Sequence, residues 1–193
     1  VGTEEGQHEK RSGIRIYRAV DAPDLTQTDF IAKNDFGEHD ELKDVVAALG
    51  AAATTTSRLL VRQKRQEGGF SLLYLSFKPN FPLFRHTHES DCLYVVISGS
   101  AIMGNQTLRP GDSFFVPAYA PYFYTAGPEG VEVLEIRHNV DSVTVIFTHN
   151  PQSRLAEVEA AIEKNAESWK TLGLGPLLRA NGAVLPEGAP PRA

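Results

Sequence analysis

The sequence predicts an all-β protein: a barrel or sandwich of short strands, preceded by an N-terminal strand and helix and followed by a C-terminal helix. Three observations carry this. Short apolar-rich runs recur from Phe70 to Phe147, several with period two. Turn residues punctuate them at Pro79-Asn80, Ser98-Gly99, Gly104-Asn105, Pro110-Gly111-Asp112, Ala120-Pro121 and Gly127-Pro128. Helical periodicity appears only outside that region. Many short strands with frequent turns indicate two packed sheets or a closed barrel rather than an α/β sheet.

Taken in order, residues 1–13 are polar and expected to be mobile. Over 13–20, Ile14 and Ile16 alternate with charged residues, which predicts a half-exposed strand. Over 39–49, Leu42, Val45, Val46 and Leu49 fall at helical spacing with Asp40, Glu41, Lys43 and Asp44 opposite; Gly50 is the expected stop. Strands are predicted at 57–65, 70–77, 84–88, 92–97, 100–103, 113–116, 122–125, 132–138 and 142–148. Residues 153–170 return to helical spacing, with Leu155, Val158, Ile162, Ala166 and Trp169 along one stripe. The Gly- and Pro-rich tail is expected to end in disorder. These elements divide the chain into an N-terminal extension (1–56), a β-barrel (57–150) and a C-terminal helix and tail (151–193).

Composition narrows the function classes. A hydrophobic content of 41% with 22% charged residues is that of a globular chain with a core. A net charge of −5 without a basic face argues against nucleic acid. No apolar run reaches membrane-spanning length, and residues 1–10 are too polar for a secretory signal. The single cysteine, Cys92, forms no intrachain disulfide, and a reducing cytoplasm is the expected setting.

The chemistry concentrates in Arg85-His86-Thr87-His88. Residues two apart on a strand share a face, so His86 and His88 aim two imidazoles at one point. Neutral imidazole is a ligand for iron, zinc, nickel, copper and manganese.

The stretch 80–126 resembles the two-motif core of the cupin superfamily. The first family motif runs Gly, five residues, His-x-His, three or four residues, Glu, six residues, Gly. Here Asn80 stands at the first Gly, His86 and His88 form the pair, Cys92 stands at the Glu, and Gly99 closes the motif. The second runs Gly, five residues, Pro-x-Gly, two residues, His. Here Gly111 and Pro117 match, while Tyr119 replaces the Gly and Tyr122 the His. The resemblance implies a jelly-roll β-barrel with a divalent transition metal, iron first, then zinc, nickel, manganese or copper. Two of the four usual ligands are replaced, which opens the identity of the third. His138 is the first candidate, since Leu134, Ile136 and His138 share a face that reads as buried; Tyr122 and then Cys92 follow.

The bland alternatives run alongside. A strand-end His138 beside Arg137 and Asn139 is more often solvated, and a lone Cys92 is more often a small core residue. About half of Phe114, Phe115, Tyr119, Tyr122, Phe123 and Tyr124 must face away from any cavity. The first functional expectation is a metal-dependent enzyme acting on a small organic molecule, with Tyr122 or Tyr124 as general acid or base. Within the resembled superfamily a dioxygenase cleaving an aromatic or diketone-like substrate comes first, then isomerases, lyases and decarboxylases. The alternative is a metal-free ligand-binding cupin. A homodimer is expected, with 13–20 as a candidate for augmenting a partner's sheet.

Overall fold

The computed structural model describes residues 13–52, 55–138, 140–173 and 175–176. The mobile start and disordered end expected from sequence lie outside the described residues.

In chain order the elements are β1 (Ile31–Asp35), α1 (Leu42–Ala51), β2 (Thr55–Arg62), β3 (Phe70–Phe77), β4 (His86–Thr87), β5 (Cys92–Met103), β6 (Gln106–Leu108), β7 (Ser113–Val116), β8 (Thr125–His138), β9 (Val143–Phe147) and α2 (Gln152–Thr171). The strands form two sheets. The larger has the order β2-β3-β8-β5-β6, with β7 also on β5, and is antiparallel throughout. The smaller has the order β1-β9-β4, with β1 parallel to β9 and β4 antiparallel to it.

Side chains from both sheets meet in one core. Phe77, Tyr94, Val96 and Val133 of the large sheet pack with Phe84 and Phe147 from the other side. The two helices close this core through Leu42 and Leu49 of α1 and Val158 and Trp169 of α2. This is the mostly-β, jelly-roll architecture with a C-terminal helix that the sequence predicts. β1 lies in the span read as the N-terminal extension, yet it pairs with β9 along four residues.

Several expectations are corrected. Residues 13–20 are not a strand; a short 3-10 turn spans Ala19–Asp21, and Ile14 and Ile16 stand 95% and 77% exposed. The alternation there has no sheet to join within the chain. Strands predicted at 92–97 and 100–103 are one continuous β5, because Ser98-Gly99 makes a bulge rather than a turn. The register shifts on both sides of it, and Gly99 has φ +66°. A Cβ at Gly99 would fall 2.1 Å from Gly130 O, so only glycine lets these strands approach. Gly127-Pro128 likewise lies inside β8. Tyr122 forms only an isolated bridge to His86, and the strand expected at 122–125 starts at Thr125 instead.

The backbone answers the motif comparison directly. Gly99 and Gly111 have φ +66° and +98°, and the two positions where the glycine is replaced, Asn80 and Tyr119, have φ +59° and +62°. Among the described residues these two are the non-glycines with positive φ. Such a conformation is uncommon for a side-chain-bearing residue, rarer still for a bulky one.

Candidate metal centre

His86 sits on β4 opposite Phe147 of β9, and His88 lies one residue beyond the strand. Both are 7% exposed. Their rings are 5.0 Å apart between centroids and inclined at 81°.

The tautomers follow from the carbonyls they meet. His86 Nδ1 lies 2.8 Å from Phe84 O, and His88 Nδ1 lies 2.7 Å from Thr144 O. A carbonyl only accepts, so each Nδ1 carries the proton and each Nε2 presents a lone pair. Burial, then the neighbouring His88, holds the His86 ring neutral down to about pH 3. Burial and then Arg137 lower His88 as well.

Both lone pairs point at one atom. Tyr122 Oη lies 2.9 Å from His86 Nε2 and 3.4 Å from His88 Nε2. The phenol is brought there by a reciprocal backbone pair, His86 N to Tyr122 O at 3.2 Å and Tyr122 N to His86 O at 3.0 Å. Tyr119, in its left-handed turn, donates its N–H to His88 O at 2.7 Å and fixes the other side.

Behind Tyr122 runs a buried polar chain. Tyr94 Oη is 2.5 Å from Tyr122 Oη, and Arg137 Nη2 reaches Tyr94 Oη at 3.5 Å. Arg137 Nε donates to Glu135 Oε1 at 2.7 Å, and Nη1 donates to Ser90 O and Oγ at 3.2 and 2.9 Å. Burial pushes the Glu135 carboxyl up, but Arg137, His88 and hydrogen bonds outweigh it and hold it below the usual carboxylate range. Burial likewise works against the Arg137 charge, and Glu135 more than offsets it. The interior therefore carries one balanced ion pair beside two neutral imidazoles.

The structure brings His86, His88 and Tyr122 together and leaves His138 out. On β8 the inward residues are Val133, Glu135 and Arg137, whereas Leu134 and Ile136 lie on the outer face and His138 is exposed beyond them. The sequence reading inverted this parity because it took the apolar residues as inward. His138 instead lines a surface cleft of about 700 Å³ with Ser90, Asp91 and Asp141. Cys92 is buried on the same face of β5 as Tyr94, and burial, then Glu135, pushes its thiol up. Among the described residues no three His, Cys, Asp or Glu side chains form a metal-holding group, so Cys92 does not complete the pair.

Tyr124 is also buried, held edge-on against Phe77 and Phe114 at 5.8 and 5.9 Å. Its hydroxyl has no hydrogen-bond partner. Glu135, Arg137 and Tyr94 were not singled out from sequence. The available signal was the opposite-charge pair at i and i+2 within an apolar strand, which places both charges on one face.

The donor set fits a small cation. One phenol proton cannot serve two imidazole acceptors, so His88 Nε2 keeps a lone pair without a proton in a buried place. The spacings of 2.9 and 3.4 Å bracket the edge of about 3.3 Å expected between donors of a tetrahedral ion with roughly 2.0 Å bonds. Imidazoles with Nδ1–H fixed on backbone carbonyls are the usual arrangement of metal-bound histidine.

No protein-family model matches the chain, and no curated protein matches it by sequence. Among solved structures it is similar to KdgF from Halomonas sp., at 17% identity and TM-score 0.40 over 45% of this chain and 80% of that one. It is similar to an RmlC-like cupin from Shewanella frigidimarina NCIMB 400, at 17% identity and TM-score 0.39 over 46% and 78%. It is also similar to the polyketide cyclase RemF from Streptomyces resistomycificus, at 17% identity and TM-score 0.45 over 82% and 98%. Two facing sheets, four left-handed turns at the motif positions and a histidine pair on the inner wall give the chain a mostly-β, jelly-roll architecture.

Proposed function

We propose that this chain holds a divalent transition metal through His86 and His88, with Tyr122 as third donor, and acts on a small organic molecule. The observation that carries the reading is the shared target of two fixed Nε2 lone pairs, for which one phenol proton is too few. A bound ion supplies a Lewis acid for a substrate oxygen and, if it is iron, a site for dioxygen. Iron heads the order, with a dioxygenase as the first reaction class; zinc, nickel, manganese and copper follow.

The chain's own residues set the acid–base roles. Burial, then Glu135, pushes the Tyr122 phenol well above its ordinary range. Burial, then Tyr122, does the same for Tyr124. Without an ion both phenols hold their protons at neutral pH; a bound cation would draw off the Tyr122 proton, which leaves Tyr124 as the proton donor. Tyr124 carries a buried hydroxyl without a hydrogen-bond partner, and the reading assigns it to an acceptor on the substrate.

Elemental analysis of purified protein tests this beside a His86→Ala/His88→Ala double variant. About one equivalent of metal in the parent and none in the variant supports the reading; none in either overturns it.

A second reading is favoured by one observation: the Tyr122 hydroxyl already occupies the point where the imidazoles converge. In that case the chain is a metal-free binding protein whose histidines and tyrosines hydrogen-bond a ligand. Ligand-induced stabilisation that chelator leaves unchanged, without turnover, supports it; turnover abolished by chelator removes it.

A further inference from the structure

The geometry points to Arg154 of α2 as the positioning residue that locks His86 and Tyr122 face to face. The segment carrying His86 and the one carrying Tyr122 meet through two isolated bridges, His86↔Tyr122 and Pro82↔Thr125, with Leu83 N–H donating to Tyr124 O at 2.9 Å between them. Four steps separate these contacts on one side and three on the other, so the ladder slips by one residue between them. If the register of the Pro82 bridge continued, Tyr122 would stand opposite Arg85 instead of His86. A one-residue slip exchanges the faces of a strand, so that register would separate the two rings.

Arg154 sits on the slip. Its Nη2 donates to Leu83 O at 2.6 Å and to Tyr124 O at 3.1 Å, one carbonyl from each segment. Its Nη1 donates to Thr125 Oγ1 at 3.2 Å, beside the Pro82 bridge. The guanidinium also lies 4.7 Å from the centroid of the Phe123 ring. Glu157, one turn along α2, holds Nη1 at 2.7 Å and aims the side chain. Arg154 is buried although it is charged, and it touches none of the donor atoms themselves. It acts through the backbone of residues 83 and 124, each within three residues of a site side chain. Planar donors reaching two carbonyls at once suit this role, and a lysine ammonium only partly replaces them.

The inference concerns the ladder itself, and its consequence for metal rests on the reading proposed above. The experiment compares Arg154→Met, Arg154→Lys and, at the far end of the same helix, Trp169→Phe, which removes the 2.9 Å bond from Trp169 Nε1 to Pro79 O. Hydrogen exchange at the His86 and Tyr122 amides, which bond each other's carbonyls, reports the ladder. Competition with a chromophoric chelator reports zinc affinity. For Arg154→Met we expect exchange at these two amides to rise at least about 10-fold relative to β3 amides, and zinc to bind about 10-fold more weakly. Arg154→Lys should fall between, and Trp169→Phe should change neither. If Arg154→Met does not fold, Arg154→Lys carries the comparison. Exchange at His86 and Tyr122 no faster in the arginine variants than in Trp169→Phe overturns the inference. A parent that binds no zinc, with the exchange effect intact, overturns the metal reading and leaves Arg154 in its place.

Discussion

Lowering the pH of metal-free protein from 7 to 5 should destabilise the fold through its two buried imidazoles. An unfolded histidine takes up a proton near pH 6.5. His86 in the fold refuses one until about pH 3, chiefly because burial disfavours the charged ring. Below pH 6.5 the unfolded state therefore binds the extra proton, and stability falls as pH falls, across the window from 6.5 to about 3. One unit corresponds to about 1.4 kcal/mol, so His86 alone removes about 2 kcal/mol between pH 6.5 and 5. His88, lowered by burial and then Arg137, acts in the same direction. The depressed carboxyls Asp29, Asp35 and Glu135 lose their stabilisation only at lower pH, which leaves the interval from 7 to 5 to histidine. The assay is urea denaturation with a chelator present at pH 7, 6 and 5, for the parent and a His86→Gln/His88→Gln variant. A parent whose midpoint does not move, or a variant that moves as much, would refute the reasoning.

Three further outcomes are expected. Tyr122→Phe removes the hydroxyl that meets His86 and Tyr94, and should cost roughly 2–3 kcal/mol in urea denaturation and at least about 10-fold in zinc affinity. Unchanged zinc affinity would show that the phenol is not a donor. Arg137→Met leaves Glu135 as an uncompensated buried charge and should destabilise by roughly 3–5 kcal/mol, most of it recovered in Glu135→Leu/Arg137→Met. We also propose a homodimer that covers Ile14 and Ile16; light scattering should give twice the 21.1 kDa chain mass, and Ile14→Asp/Ile16→Asp should return it to one.

The architecture was largely legible before folding, because strand alternation and turn chemistry are local. The left-handed turns at Asn80 and Tyr119 fall at the positions where the resembled motifs carry glycine. The histidine pair was legible for the same reason: i and i+2 on a strand need no tertiary information to share a face. What misled was composition read as direction. Ser98-Gly99 and Gly127-Pro128 look like turns, yet both sit within long strands, since a glycine that ends a strand and one that lets two strands touch are alike in sequence.

By itself, then, the sequence determined a two-sheet β fold, its closing helix and two imidazoles aimed at one place. Tertiary structure alone decided what stands opposite them. It turned Glu135 and Arg137 inward and His138 outward, carried Tyr122 across to the two Nε2 atoms, and placed Arg154 over a slipped ladder. The physical reason is that the inside of a strand is defined by the sheet packed against it. A charged residue can occupy that side only when a partner of opposite sign arrives with it.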